Sequence, residues 1–381
     1  MKKACVVWSA LIALSSCGEE GTSVDPAAAT KADPIPRFDV HEWGLLDVAL
    51  DGTLRELSAG PGQAGRVADL GIRGYGKPVL YFHTGEKTDG VDVQVEVSLG
   101  EGLSLAERFP DGEVEERSVR WNVRVASEPC AAERTYPDAA SERCQQVADR
   151  YCETAELGDY ETSDAACLRS GDTEVPLLFY RGGDGEGEPA TMPLEVQRNP
   201  DGSIQVTNRG TAEPIGQLWR VVRYGRRAVA VDWPAPGETV TIPAPTQEID
   251  DAAHEMFARD LEAHGLTEQE QAAFDRAWHE VVWGPRPAPV DEDGSLGLRG
   301  TGRGGGGVGG PPIGLGNPGT IGRGGLGYGR GYGRFVHGAK RDALLYWLPA
   351  DAFDEIATLS FEPEAATVRR ATLVRVDLSG R

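Results

Sequence analysis

Alternation of apolar and polar residues is the dominant pattern of this chain, and it predicts β-strands. The plainest examples are Val91–Val97 and Val119–Val125, where valine or tryptophan occupies every second position. A nearly continuous apolar run at Pro78–His83 predicts a central strand. Turn residues such as Asp201-Gly202 separate several of these runs. Short strands joined by turns are typical of a β-sandwich or barrel, and we expect about eight to eleven of them before Ile242.

The period of the pattern becomes helical after the predicted strands. Apolar residues at helical spacing from Ile249 to Leu261 predict one helix, and Gly265 ends it. Thr267 and Glu270 form a capping box, which predicts the start of a second helix. The two helices make a hairpin that we expect to pack on the sheet. The apolar side of this hairpin includes Trp278 and Trp283.

These patterns predict a mainly β protein: a β-sandwich-like body with a packed helical hairpin and a disulfide-stapled insertion. The predicted parts are a lipoprotein signal peptide at 1–16, a lipid-anchored tether at 17–37, a β-sandwich-like domain at 38–247 with a cysteine-containing insertion at 128–174, the helical hairpin at 248–284, a Gly/Arg-rich flexible loop at 285–341, and C-terminal strands at 342–381 that complete the fold.

The first seventeen residues predict where the protein is located. Lys2 and Lys3 precede an apolar run that is too short to span a bilayer permanently, and the run ends at Leu14-Ser15-Ser16-Cys17. This ending resembles the lipobox of bacterial lipoprotein signal peptides. The resemblance implies lipid attachment at Cys17 and anchoring in the membrane of the cell envelope. An ordinary secretory signal is the alternative. Gly18, in place of an aspartate, favours the outer membrane under the sorting rule of enteric bacteria.

The net charge limits the classes of binding partner, and the cysteine content predicts cross-links. With 60 acidic and 38 basic residues the net charge is −22, which opposes binding to nucleic acids and to anionic lipid surfaces. Four cysteines remain after the signal peptide and Cys17, and an even number in an exported chain predicts two disulfides with three alternative pairings. Zinc is the competing interpretation, although the spacings contain no C-x-x-C pair. The four are Cys130, Cys144, Cys152 and Cys167.

The Gly/Arg-rich segment is the least regular part of the sequence. Gly294–Gly338 contains 21 of the chain's 50 glycines, and no acidic residue lies between Asp293 and Asp342. Such a composition predicts a mobile loop, because it offers little apolar surface to bury. Gly/Arg segments bind nucleic acid in other proteins, but an exported protein favours contact with the chain's own acidic surface or with envelope phosphates, or plain solvation.

Four stretches together resemble a family of uncharacterised exported proteins of environmental bacteria such as myxobacteria and planctomycetes. The four stretches are Val40-His41-Glu42-Trp43-Gly44, Lys77-Pro78-Val79-Leu80-Tyr81-Phe82-His83, Gly265-Leu266-Thr267-Glu268-Gln269-Glu270 and Leu344-Leu345-Tyr346-Trp347-Leu348-Pro349. The resemblance covers most of 38–378 outside the cysteine insertion and the Gly/Arg-rich loop. It implies an exported protein of the predicted fold and adds nothing to its chemistry.

His41, Glu42 and His83 are the candidate catalytic residues. Two imidazoles and a carboxylate are the ligand set of an open zinc site, or an acid–base pair. Strand alternation, however, puts His41 and Glu42 on opposite faces unless a bulge or turn intervenes. A hydrogen-bonded structural histidine is the alternative for His41.

Two acidic stretches are candidate calcium sites, and the alternative for both is a solvated turn. The residues are Asp184, Glu186 and Glu188 in the first stretch and Asp291, Asp293 and Ser295 in the second. We expect no resident cofactor, with zinc and calcium as the alternatives. The sequence has no G-x-S-x-G or H-E-x-x-H motif.

The sequence therefore predicts an envelope-anchored lipoprotein whose molecular activity it leaves open. It favours a non-catalytic binding or interaction module with an envelope or surface ligand. A metal-dependent or acid–base hydrolase acting on envelope polymers or glycans is the alternative.

Overall fold

The structure is a computed structural model. It describes residues 38–48, 50, 54–55, 78–85, 90–128, 130, 136–137, 140–145, 152–184, 192–210, 216–222, 226–284 and 342–378. The predicted signal peptide and tether, including Cys17, and the Gly/Arg-rich segment 285–341 lie outside these residues.

The chain is mainly β, as predicted. A ten-stranded sheet, hereafter the large sheet, runs through the middle of the fold. In spatial order its strands are β16 (Gln247–Glu248), β14 (Arg227–Val231), β13 (Leu218–Val222), β17 (Asp342–Leu348), β19 (Thr367–Asp377), β1 (Phe38–Val48), β3 (Val79–Thr84), β10 (Leu178–Asp184) and β5 (Leu103–Phe109), with β2 (Leu54–Arg55) paired to β1.

Strand β1 is the centre of the large sheet. It pairs in parallel with β19, near the opposite end of the sequence, and antiparallel with β3. Side chains of a strand alternate between the two faces of a sheet, so β1 supplies both. Val40 and Leu46 enter one buried cluster, whereas Trp43 and Leu45 enter the other.

Two smaller sheets cover one face of the large sheet. The six-stranded sheet consists of β18 (Ala357–Glu362), β4 (Val91–Leu99), β7 (Ser118–Ala126), β8 (Cys167–Ser170) and β9 (Thr173–Val175) in spatial order, with β6 (Glu113–Glu115) paired to β7. The three-stranded sheet consists of β11 (Leu194–Arg198), β12 (Ile204–Asn208) and β15 (Thr239–Ile242). The valines that alternate along β4 and β7 point into the shared core, which makes this half of the fold sandwich-like.

A helical hairpin covers the other face. Helix α2 (Asp251–Ala263) is capped by Asp250, and α3 (Glu268–Val282) begins with the predicted capping box of Thr267 and Glu270. Trp278 and Trp283 are buried in the core between the hairpin and the large sheet, as predicted. The remaining helices are α1 (Glu142–Gln145), a 3₁₀ helix (Glu153–Tyr160) and α4 (Ala350–Asp354).

The four cysteines form two disulfides, Cys130–Cys167 and Cys144–Cys152. The second half of the cysteine insertion packs beside β3. The Tyr81 hydroxyl donates to the carbonyl of Tyr160 at 2.5 Å, and the amide of Ala166 donates to the carbonyl of Phe82 at 2.7 Å. The insertion therefore forms a wall next to the end of β3.

Strands are more numerous than the alternation predicts. Fifteen strands precede or include Ile242 among the described residues, against an expected eight to eleven. The excess consists of pairing segments of two to four residues, such as β2 and β9, which are too short to show a period. Across the described residues, no helix combines the length and apolar character that a membrane span requires.

The two disulfides are expected to stabilise the fold unequally. Replacing both cysteines of Cys130–Cys167 with serine should lower the free energy of unfolding by about 3.8 kcal/mol, and the same change at Cys144–Cys152 by about 2.5 kcal/mol, because the sequence separations are 37 and 8. Urea unfolding of the two double variants measures the difference. Equal losses, or the reverse order, would contradict the chain-entropy argument.

Candidate functional site

Three side chains from three separate elements meet where the helical hairpin rests on the large sheet. His41 lies on β1, His83 near the end of β3, and Glu270 in the first turn of α3. The coordinating atoms of the three residues all lie within 4.8 Å of one another. We call these three residues the His–Glu cluster.

Strand alternation explains how the two histidines come together. Where β1 pairs with β3, His41 lies opposite Tyr81 and Asp39 lies opposite His83. Because Asp39 and His41 are two residues apart on β1, they share one face of the sheet. Both histidines therefore lie on the face that the helices cover. Their ring centroids are 4.5 Å apart. The sequence pattern placed both histidines on strands, but their adjacency depends on the register of β1 against β3.

Helix capping explains the position of the carboxylate. As the third residue of α3, Glu270 reaches back to accept a hydrogen bond from the amide of Thr267 at 2.8 Å, and its own amide donates to the Thr267 hydroxyl. This exchange fixes the side chain at the start of the helix. The same carboxylate faces the two histidines.

Hydrogen bonds join the three residues into one unit. His41 Nδ1 donates to Glu270 Oε2 at 2.9 Å, and His83 Nε2 donates to Oε1 at 3.0 Å. The carboxylate of Glu270 is fully buried, whereas the side chains of His41 and His83 are 9% and 18% exposed. The cluster therefore meets solvent along its histidine edge.

The contact between Glu270 and the histidines shifts the pKa values of Glu270 and His83 in opposite directions. Burial alone would raise the pKa of the Glu270 carboxyl, but the hydrogen bonds from His41 and His83 lower it to about 2. For the His83 imidazole, burial has the opposite effect and would lower the pKa. Hydrogen bonding and attraction to Glu270 outweigh burial and raise the pKa of His83 above its ordinary value. Glu270 is therefore ionised at neutral pH, and both facing imidazole nitrogens are hydrogen-bond donors.

Glu42, the third residue predicted for this site, lies elsewhere. It points to the opposite face of β1, into the core shared with the smaller sheets, and is fully buried. The Tyr180 hydroxyl donates to it at 2.6 Å, and Arg370 forms an ion pair with it. Arg370 also pairs with Asp354 and lies over the ring of Phe353. This arrangement satisfies a buried carboxylate and connects strands inside the core.

Glu270 was not among the predicted site residues. The capping box with Thr267 identifies Glu270 in the sequence. A capping box, however, predicts only where a helix starts and not what the side chain contacts elsewhere in the fold. His41, His83 and Glu270 also lie in three of the four stretches that carry the family resemblance. Of the predicted calcium residues, Asp184 ends β10, whereas Glu186, Glu188 and 291–295 lie outside the described residues.

The cluster has the composition of a transition-metal site. Two imidazole nitrogens and a carboxylate oxygen are ligands that zinc binds at about 2.0–2.2 Å, which separates tetrahedral ligand atoms by about 3.3 Å. The observed contacts of 2.9 and 3.0 Å, with all three atoms within 4.8 Å, are close to that separation. With a metal bound, the two imidazole nitrogens would lose their protons and would bind the metal instead of donating to Glu270. The Thr267 amide would keep the carboxylate oriented.

Comparison with known proteins does not identify a function for this chain. No protein-family model and no curated protein matches the chain. A solved structure of the yeast delta-COP-I mu-homology domain complexed with the Dsl1 WxWxV peptide is 9% identical over 55% of this chain and 75% of that chain, with a TM-score of 0.19. A likeness at that score carries no argument about fold or function.

Removing the buried carboxylate is expected to destabilise the fold even without metal. Glu270→Ala should lower the free energy of unfolding by about 3–5 kcal/mol in EDTA, because it leaves the buried His41, the partly exposed His83 and the Thr267 amide without their shared carboxylate. Glu268→Ala is the matched control: Glu268 is exposed in the same helical turn, and its loss should cost at most about 1 kcal/mol. Similar losses in both variants would show that the His–Glu cluster does not tie the helix to the sheet.

Proposed function

We propose that this protein is a lipid-anchored protein of the bacterial outer membrane whose folded body binds a divalent transition-metal ion, zinc by preference, at the His–Glu cluster. The carrying observation is that His41, His83 and the buried Glu270 converge from three elements of the fold. The proposal makes the protein a metal-binding module. The lipobox-like start and the resemblance to exported bacterial proteins support the envelope location.

Ligand chemistry favours zinc over calcium or magnesium. Calcium and magnesium prefer sites built from oxygen ligands, whereas two imidazoles and one carboxylate suit zinc and its neighbours in the first transition series. The ligands are also well supported. His41 and His83 are carried by paired strands of the large sheet, and Glu270 is held by its cap. Such preorganisation lowers the entropy cost of binding.

A metal-dependent hydrolase is the second candidate. Catalytic zinc sites combine three protein ligands with one open position for water or substrate, and the cluster supplies three ligands. The His83 side chain is 18% exposed, so solvent reaches the cluster. Binding ranks first because a site of this composition is sufficient to hold the metal. Hydrolysis additionally requires a bound envelope polymer or glycan beside it.

Metal binding is expected to depend on the cluster and on no other histidine. The purified chain should retain about one zinc per molecule in equilibrium dialysis, and a concentration of 100 times Kd should stabilise it by about 2.7 kcal/mol. His83→Ala should abolish both effects, while His254→Ala, on α2 and away from the cluster, should change neither.

Two outcomes would contradict the metal proposal. One is zinc retention by the folded His83→Ala and His41→Ala variants at the wild-type level. The other is an absence of zinc binding by wild-type chain that has been stripped with EDTA and reloaded. Circular dichroism of each variant separates loss of metal from loss of fold. The milder His83→Gln keeps a side chain of similar length if the alanine variant unfolds.

The lipid anchor is expected to reside on one sulfur atom. Cys17→Ser should move the protein from the membrane fraction to the periplasm or medium, because several acyl chains contribute about 0.8 kcal/mol for each buried methylene. Cell fractionation with Cys5→Ser as the control measures this, since Cys5 leaves with the signal peptide in the proposed processing. A Cys17→Ser protein that remains wholly in the membrane fraction would contradict lipid anchoring.

A further inference from the structure

A second feature of the helical hairpin, separate from the His–Glu cluster, is a cavity of about 440 Å³ between α2 and α3. Proteins bind small molecules in cavities of about 300–1,000 Å³. One stripe of each helix forms the walls. From α2 these residues are Asp251, His254, Glu255 and Ala258, and from α3 they are Gln271, Asp275 and His279.

The floor of the cavity is apolar and largely aromatic. Phe257, Phe274 and Trp278 line it with a small part of their surfaces, because they are buried against the large sheet and only 4%, 2% and 1% exposed. Trp283 lines the end that lies beyond α3 and is 6% exposed. Methylene groups of a ligand would gain apolar contact where the cavity reaches this floor.

Two stacked histidines connect the walls near the same end. The rings of His254 and His279 are nearly parallel, at 10°, with centroids 5.8 Å apart, and His254 meets Trp283 edge to face at 4.8 Å. His279 Nδ1 donates to Asp275 at 2.8 Å. Burial and the neighbouring His279 lower the pKa of His254 below its ordinary value, so His254 is neutral at neutral pH.

Carboxylates lie on both walls of the cavity. Asp251 and Glu255 come from α2, and Asp275 comes from α3. Among the described residues that line the cavity, none is a lysine or arginine, so the field inside favours a cation. The three carboxylates do not converge on one point. They are absent from the groups of described residues whose ligand atoms lie close enough together to hold one metal ion. The walls therefore suit charges that are spread along a ligand.

We propose that this cavity binds an aliphatic polyamine. Such a molecule carries ammonium groups separated by short methylene chains, so its charges can meet carboxylates on opposite walls while its methylenes lie on the aromatic floor. A compact metal ion offers no apolar contact, and a neutral apolar molecule carries no charge for the wall carboxylates to attract. The proposal does not depend on zinc binding, because the cavity shares no residue with the His–Glu cluster.

Calorimetric titration of the purified full chain with spermidine tests the site. We expect one saturable site that equal concentrations of Mg²⁺ do not block. Glu255→Gln should weaken it about tenfold, because one charge-assisted contact is lost. Glu262→Gln is the matched control, since Glu262 is exposed on the same helix and does not line the cavity. Ala258→Phe keeps every charge but places a large side chain in the cavity, so it should abolish spermidine binding.

Three results would overturn the proposal. The first is the absence of saturable spermidine binding. The second is an equal loss of affinity in the Glu255→Gln and Glu262→Gln variants, which would indicate general attraction to an acidic surface. The third is unchanged binding by a folded Ala258→Phe variant, which would place spermidine outside the cavity. Zinc titration of the same variants should be unaffected, which keeps the two sites distinguishable.

Discussion

The carboxylate of Glu270 is a buried negative charge, and the way the helical hairpin sits on the large sheet depends on its compensation. Removing such a charge from water costs several kcal/mol unless hydrogen bonds and opposite charge replace the lost hydration. Three donors do so here: the amide of Thr267 from the helix cap, and His41 and His83 from the sheet. The same set of contacts orients α3 and collects the groups that could bind a metal.

Strand β1 meets a buried carboxylate on each of its faces: its own Glu42 on one face, and Glu270 of α3 on the other. Glu42 and His41 are adjacent in sequence, yet they enter opposite faces of the large sheet. On one face Glu42 is compensated by Arg370 and the Tyr180 hydroxyl, which leaves no side open to solvent. On the other face the compensating groups are imidazoles, which can release their protons and bind a metal. An arginine-paired carboxylate cannot do this, because arginine stays charged and offers no lone pair.

Sequence patterns predicted much of this fold because most of its strands and helices have a recognisable local sequence pattern. The valines of β4 and β7 show the period of a half-buried strand, and Thr267 with Glu270 marks the start of α3. The disulfide pairing could not be read from the spacing of four cysteines. Segments as short as β2 carry no period at all.

The candidate site could be predicted only in part. The two histidines were identifiable as polar groups at strand positions, and alternation already separated His41 from Glu42. Bringing Glu270 to them requires knowing that α3 begins directly over β1 and β3, at a sequence distance of 229 residues from His41. No local pattern contains that information, because it is set by how the hairpin packs its tryptophans against the large sheet.

If the proposal is right, the three side chains that compensate one another at this junction are also the ligands of one metal ion. Anomalous X-ray diffraction at the zinc edge, from crystals of the zinc-loaded protein, tests it most directly. We expect a single strong peak about 2.0–2.2 Å from His41 Nδ1, His83 Nε2 and a carboxylate oxygen of Glu270. A peak at other residues, or none while the His–Glu hydrogen bonds persist, would contradict it and leave the cluster a purely structural contact.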